Sequence, residues 1–113
     1  MSELTDKLQS MGCDMDGALN RFLQDENFYL DCYKQVLDDE AFGKLKEALE
    51  NKQTEEAFHY AHTLKGVIAN MGLTPLYNIV VRIVEPLRAG SIENLMPIYE
   101  ELMTEREKYK ALL

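Results

Sequence analysis

The sequence predicts an all-α protein, an antiparallel up-down four-helix bundle with short additional helices at its N-terminus. Three observations predict it. Apolar residues recur at spacings of three and four through most of the chain, the period of a helix with one face in a core. Helix stops and starts adjoin, as in Gly72-Leu73-Thr74-Pro75, where a terminating glycine is followed by a cap and a proline for the next helix. No stretch alternates apolar and polar residues over the length of a strand. At 113 residues, with 46% hydrophobic and 28% charged, the chain has the size and composition of a single domain over 1–113.

Met1 to Gly12 reads as a short amphipathic helix with Leu4, Leu8 and Met11 inward and Gly12 as its stop. Asp14 or Asp16 caps a second short helix through Leu23, turning Ala18, Leu19, Phe22 and Leu23 inward. A third begins at 25–27 and buries Phe28, Cys32, Tyr33, Val36 and Leu37. Asp38, Asp39 and Glu40 suit the positive end of a new helix dipole, so 27–50 reads as one bent helix or two, with Phe42, Leu45 and Leu49 inward. Thr54 is the expected N-cap of the central helix, which carries the apolar stripe Ala57, Ala61, Leu64, Ile68 and Met71 and ends at Gly72. Thr74 then caps a helix with Pro75 at its first position, a broad face of Leu76, Ile79, Val80, Ile83 and Leu87, and Gly90 as its stop. So short a link requires these two helices to form an antiparallel hairpin. Ser91 caps the final helix, with Leu95, Tyr99, Leu102 and Tyr109 inward; Pro97 is expected to kink or restart it.

A net charge of −8 and the lack of any Lys/Arg cluster argue against nucleic acid or an anionic membrane as the main partner. The apolar runs fall well short of the ~20 residues that span a bilayer. The opening M-S-E-L-T-D-K has no basic-then-apolar leader pattern, and Cys13 and Cys32 have no metal-type or secretory spacing. The expected location is therefore the cytoplasm, with both thiols reduced. Glycines 12, 17, 43, 66, 72 and 90 stand singly, so neither G-x-x-x-x-G-K-[ST] nor G-x-G-x-x-G is present. Nothing in the chain can take phosphate from ATP unaided.

At about 100° per residue, His62 falls opposite the apolar stripe of the central helix. Glu55, Phe58, His59, Lys65, Gly66 and Ala69 share its outward face. A glycine in mid-helix costs ~1 kcal/mol relative to alanine, so Gly66 calls for a reason, and close approach of another surface supplies one. The run Ala61-His62-Thr63-Leu64-Lys65-Gly66, the later Asn70-Met71-Gly72 and the following helix ending Arg88-Ala89-Gly90 resemble the histidine-containing phosphotransfer (HPt) family of two-component signalling. The central and following helices carry the resemblance, and the N-terminal third adds only compatible helices.

The resemblance implies a carrier. His62 would be the phospho-acceptor, taking a phosphoryl group from the aspartyl phosphate of one receiver domain and passing it to the aspartate of another. A neutral imidazole is a nucleophile without a neighbouring base. Phosphoryl transfer is mostly in-line positioning and charge stabilisation. Lys65, three residues on, can reach a phosphoryl group on His62. Gly66, Ala69, Phe58 and His59 would form the receiver-docking face, with His59 a second candidate acceptor that lacks the Lys-Gly pair three and four residues on. The resemblance implies no cofactor of the chain's own, a divalent metal on the partner receiver, and a monomer. Whether such a phosphorylated intermediate counts as an enzyme is a matter of definition. One departure stands out. Many members bond the active imidazole to a glutamate or glutamine on the following helix, and the matching position here is Val84. Either the imidazole is free or Arg82 or Glu85 substitutes.

Two other readings compete. Glu55, His59 and His62 have the i, i+4, i+7 spacing of three metal ligands on one helix face, and Glu56 with His59 makes a Glu-x-x-His pair. Bundle metal sites need further ligands from facing helices, and none is evident. The other is a module that docks a receiver without carrying phosphate; the presence of both His62 and Lys65 speaks against it.

Overall fold

The computed structural model describes residues 2–113, and among them are seven α-helices and no strand. They are α1 (Glu3–Ser10), α2 (Met15–Arg21), α3 (Glu26–Leu37), α4 (Ala41–Glu50), α5 (Thr54–Asn70), α6 (Thr74–Arg88) and α7 (Met96–Lys110). α5 lies between α4 and α6, α6 packs on α7, and α7 closes against α3 and α4. Every helix sends side chains into one core. Leu64, Ile68, Leu76, Val80, Ile83 and Leu102 are fully buried in it. The all-helical class is as expected.

The stretch 27–50 is two helices. Asp39 ends the ambiguity, because its Oδ1 accepts from the Ala41 amide at 2.8 Å and starts α4 anew. Asp14 and Asp25 cap α2 and α3, accepting from the amides of Gly17 and Phe28 at 3.0 Å each. The threonine caps differ from expectation. Thr54 and Thr74 are the first helical residues, and the caps before them, Gln53 and Leu73, make no side-chain hydrogen bond. The turn into α5 is closed by the backbone instead, with Lys52 left-handed (φ 55°) and the Gln53 amide donating to the Ala48 carbonyl at 2.9 Å. Ser91 caps nothing: the chain stays irregular to Leu95, and α7 begins at Met96. Pro97 thus falls in the first turn, where a missing N–H removes no helical hydrogen bond, and the expected kink has no cause.

Two inward assignments are also corrected. Leu23 is 85% exposed, because Leu23 and Gln24 both turn left-handed after α2 and swing the side chain out. Phe28 is 49% exposed; the buried face of α3 is Tyr29, Tyr33 and Leu37, with Cys32 and Val36 half-buried. Three of the buried tyrosines place their hydroxyls against carbonyls, whereas the buried Tyr109 hydroxyl has no hydrogen-bond partner among the described residues. Tyr29 donates to Met71, Tyr33 to Tyr109 and Tyr99 to Phe42, at 2.7, 2.7 and 2.8 Å. A buried hydroxyl so satisfied escapes the desolvation penalty of a lone one.

Burial raises the pKa of Tyr29, Tyr33, Tyr99 and Tyr109 above the ordinary phenol value. The unfolded chain loses those protons near pH ~10 while the folded chain keeps them. Stability is therefore full below that pH and falls as pH rises through it. Urea midpoints are expected to hold steady from about pH 7 to 9 and to drop beyond about 10. A midpoint unchanged past that point would mean that the hydroxyls reach water.

The C-terminal end of α5 is tied to α2. Gly72 is left-handed (φ 73°), and its carbonyl accepts from the Asp14 amide at 2.8 Å. Arg21 donates through Nε to the Asn70 carbonyl and through a terminal nitrogen to the Ala69 carbonyl, at 3.0 and 3.1 Å. α5 has no basic residue in its own last turn, so a cation from another helix meets the negative end of its dipole.

Candidate functional site

The phase of α5 decides which side chains reach solvent. Ala57, Ala61, Leu64 and Ile68 are fully buried and Met71 nearly so, which turns His62 outward, exposed in the middle of the helix. Glu55, His59, Gly66 and Ala69 are exposed beside it, while Phe58 and Lys65 are half-buried towards α6. Periodicity sets these side chains on one outward face with His62; Phe58 and Lys65 lean instead against α6, and His59 is turned towards Tyr60.

Phe58 and His62 lie one turn apart, ring centroids 5.5 Å from each other and planes tilted by 31°. From the last turn of α6, the Arg88 guanidinium sits 5.3 Å from the Phe58 centroid, a cation over an aromatic ring. Lys65 reaches across to α6 as well, with Nζ 3.9 Å from Glu85 Oε1. The other Glu85 oxygen is 3.5 Å from Arg88 Nε. Phe58 meets Arg88 and Lys65 meets Glu85, so the contacts run backward along α6 as they run forward along α5. That is the antiparallel hairpin. His59 turns the other way, edge-on to Tyr60 at 5.2 Å, and Tyr60 in turn lies 5.9 Å from Lys44 of α4.

The three residues weighed as partners of the imidazole separate. Val84 is fully buried in the core. Arg82 is turned to α7, where Glu101 accepts from it at 2.9 and 3.0 Å. Glu85 alone faces the site, and it pairs with Lys65 rather than with the ring. Among the described residues no hydrogen bond reaches the His62 imidazole, and the residue is exposed. A Cβ built on Gly66 would meet nothing within 4 Å, so no neighbour among the described residues demands that glycine. Gly66 and Ala69 extend an open strip from His62 towards the end of α5.

Glu55, His59 and His62 do not gather as metal ligands, and no group of three His, Cys, Asp or Glu side chains among the described residues does so. The spacing put three candidate donors on one face, but the far helices send none to join them. Arg88 is the site residue that the sequence reading used only as part of a matching string. Its signal was available: in an antiparallel hairpin, a residue just before the stop of the second helix lies opposite the first turns of the first.

The family model of the Hpt domain matches residues 32–111. The chain belongs to the Hpt domain family. Hpt domains are helical bundles that serve phosphotransfer in two-component signalling and interact with receiver domains in phosphorelays. The match begins within α3 and runs through α7, so it contains the whole His62 face and its α6 neighbours. No curated protein and no solved structure matches the chain. No helix among the described residues is long and apolar enough to cross a membrane.

Proposed function

We propose that this Hpt domain carries a phosphoryl group on His62, taken from the aspartyl phosphate of one receiver domain and handed to the aspartate of another. The observation that carries the reading is an exposed imidazole with a lysine one turn on and an open strip, Gly66 and Ala69, beside it. A lone pair on an unprotonated ring nitrogen attacks phosphorus. The P–N bond forms as the P–O bond to the aspartate breaks, and that electron pair leaves on the carboxylate. The ring keeps its other N–H and carries positive charge until water takes that proton. Return to a second receiver reverses each step. Lys65 supplies positive charge to the phosphoryl oxygens, and the receiver supplies a divalent metal ion and the acidic pocket around it.

The same reading takes residues 1–113 as one domain, an up-down four-helix arrangement with short N-terminal helices, working as a monomer in the cytoplasm. Incubation with a phosphorylated receiver domain, followed by mass spectrometry under alkaline conditions, should find acid-labile phosphate on His62. Binding without any transfer would leave the non-phosphorylated docking module.

Gly66 tests the docking strip separately. Gly66→Leu adds a side chain where the isolated chain has room, so the fold should be as stable as before, or up to ~1 kcal/mol more so. Receiver affinity should nonetheless fall, because the bulk stands where the partner must approach. Unchanged affinity in a titration would remove Gly66 from the docking face.

A further inference from the structure

We propose that Glu85 is a positioning residue that competes with a phosphoryl group on His62 for Lys65 and Arg88, and so sets how readily the carrier gives its phosphate away. This rests on His62 being the acceptor. Two cations lie on this side of the hairpin: Lys65, one turn on from His62, and Arg88, 5.3 Å from the Phe58 ring whose centroid is 5.5 Å from that of His62. One Glu85 oxygen engages each of them, at 3.9 and 3.5 Å. Arg82, the next cation along α6, is committed to Glu101. Glu85 is thus the counter-charge to both groups that would meet a phosphate.

The Lys65 contact is longer than the ~2.7–2.9 Å of a charge-assisted hydrogen bond, so Glu85 holds the ammonium only loosely. A phosphoryl group on His62 brings up to about two negative charges within its reach. When Lys65 turns to it, Glu85 loses one partner while a new anion stands on the facing helix. Both changes disfavour the phosphorylated carrier relative to the free one. When the group moves on, the P–N bond breaks and a P–O bond forms on the receiver; Glu85 makes no bond and takes no proton, and only recovers its lysine.

The test is the equilibrium of transfer between a phosphorylated receiver and the full chain, compared for wild type and Glu85→Gln. Glu85 is half-exposed on α6, outside the core. The variant should raise the ratio of phosphorylated to free carrier about two- to fivefold at low ionic strength, the scale of an exposed ion pair. The gain should shrink between about 20 mM and 500 mM salt as screening shortens the reach of the charges. It should also shrink when Lys65→Met is already present, since the two effects share a partner. A ratio equal to wild type at low salt, a rise indifferent to salt, or a shift towards the free carrier would each overturn the role of Glu85. Phosphate taken by neither protein would overturn the acceptor reading with it.

Discussion

His62→Gln is expected to abolish phosphoryl transfer while leaving stability within ~0.5 kcal/mol of the wild type. The two halves of that expectation have different causes. Loss is complete because no other group in the chain offers the same chemistry in the same place: the nearest imidazole, His59, is turned against Tyr60 and away from the Lys65 side. Stability is spared because the ring is exposed and makes no hydrogen bond among the described residues, so glutamine, a good helix former, forfeits little more than the edge of the Phe58 stack. His59→Gln is the matched control and should retain labelling. Radiolabel from a phosphorylated receiver, followed through both variants together with their urea curves, makes the comparison. Label that survives His62→Gln and disappears with His59→Gln would move the acceptor one turn towards the N-terminus of α5.

How much was legible beforehand follows from what each feature depends on. The face of α5 was readable, because an apolar stripe at helical spacing leaves only one side for His62, Lys65 and Gly66. The stops at Gly72 and Gly90 were readable for the same local reason: both are left-handed, where an L side chain is strained. Tyr29 was not, since its burial depends on the Met71 carbonyl waiting 42 residues away, and no local pattern announces that partner. Leu23 was misplaced because two successive left-handed residues that are not glycine give no compositional signal. Pro97 was misread through a helix start set too early by Ser91. Glu85 was noticed as the neighbour of Val84, but its direction depends on how α6 is rotated. That rotation is set by Ile83, Val84 and Leu87, all of which turn into the core. A helix that buries three of five consecutive positions leaves Glu85 on the remaining side, next to Lys65.

Gly72→Ala should be the most destabilising of the glycine substitutions, by about 2–5 kcal/mol. Two terms make up that figure. An alanine held in the left-handed region gives up about 1–2 kcal/mol. Its methyl would also be driven into the backbone carbonyl of Asp14 and to 2.9 Å from the Ala18 Cβ, and such overpacking costs about 1–3 kcal/mol where the neighbour is main chain and cannot turn aside. The neighbour could retreat only by moving α2, and α2 is what holds the end of α5, through the Asp14 amide on the Gly72 carbonyl and the two Arg21 hydrogen bonds. Relief of the clash would thus free the carbonyls that Arg21 covers. Gly66→Ala is the internal contrast: the same methyl, in helical backbone with nothing within 4 Å, should stabilise by up to ~1 kcal/mol. Gly72 lies ten residues beyond His62, about 15 Å along a helix axis, so the Gly72→Ala protein that remains folded should still accept phosphate. Urea unfolding of the two variants reads the difference directly. A Gly72→Ala loss under about 1 kcal/mol would mean that α2 is not pressed against the end of α5, and that the central helix ends without its brace.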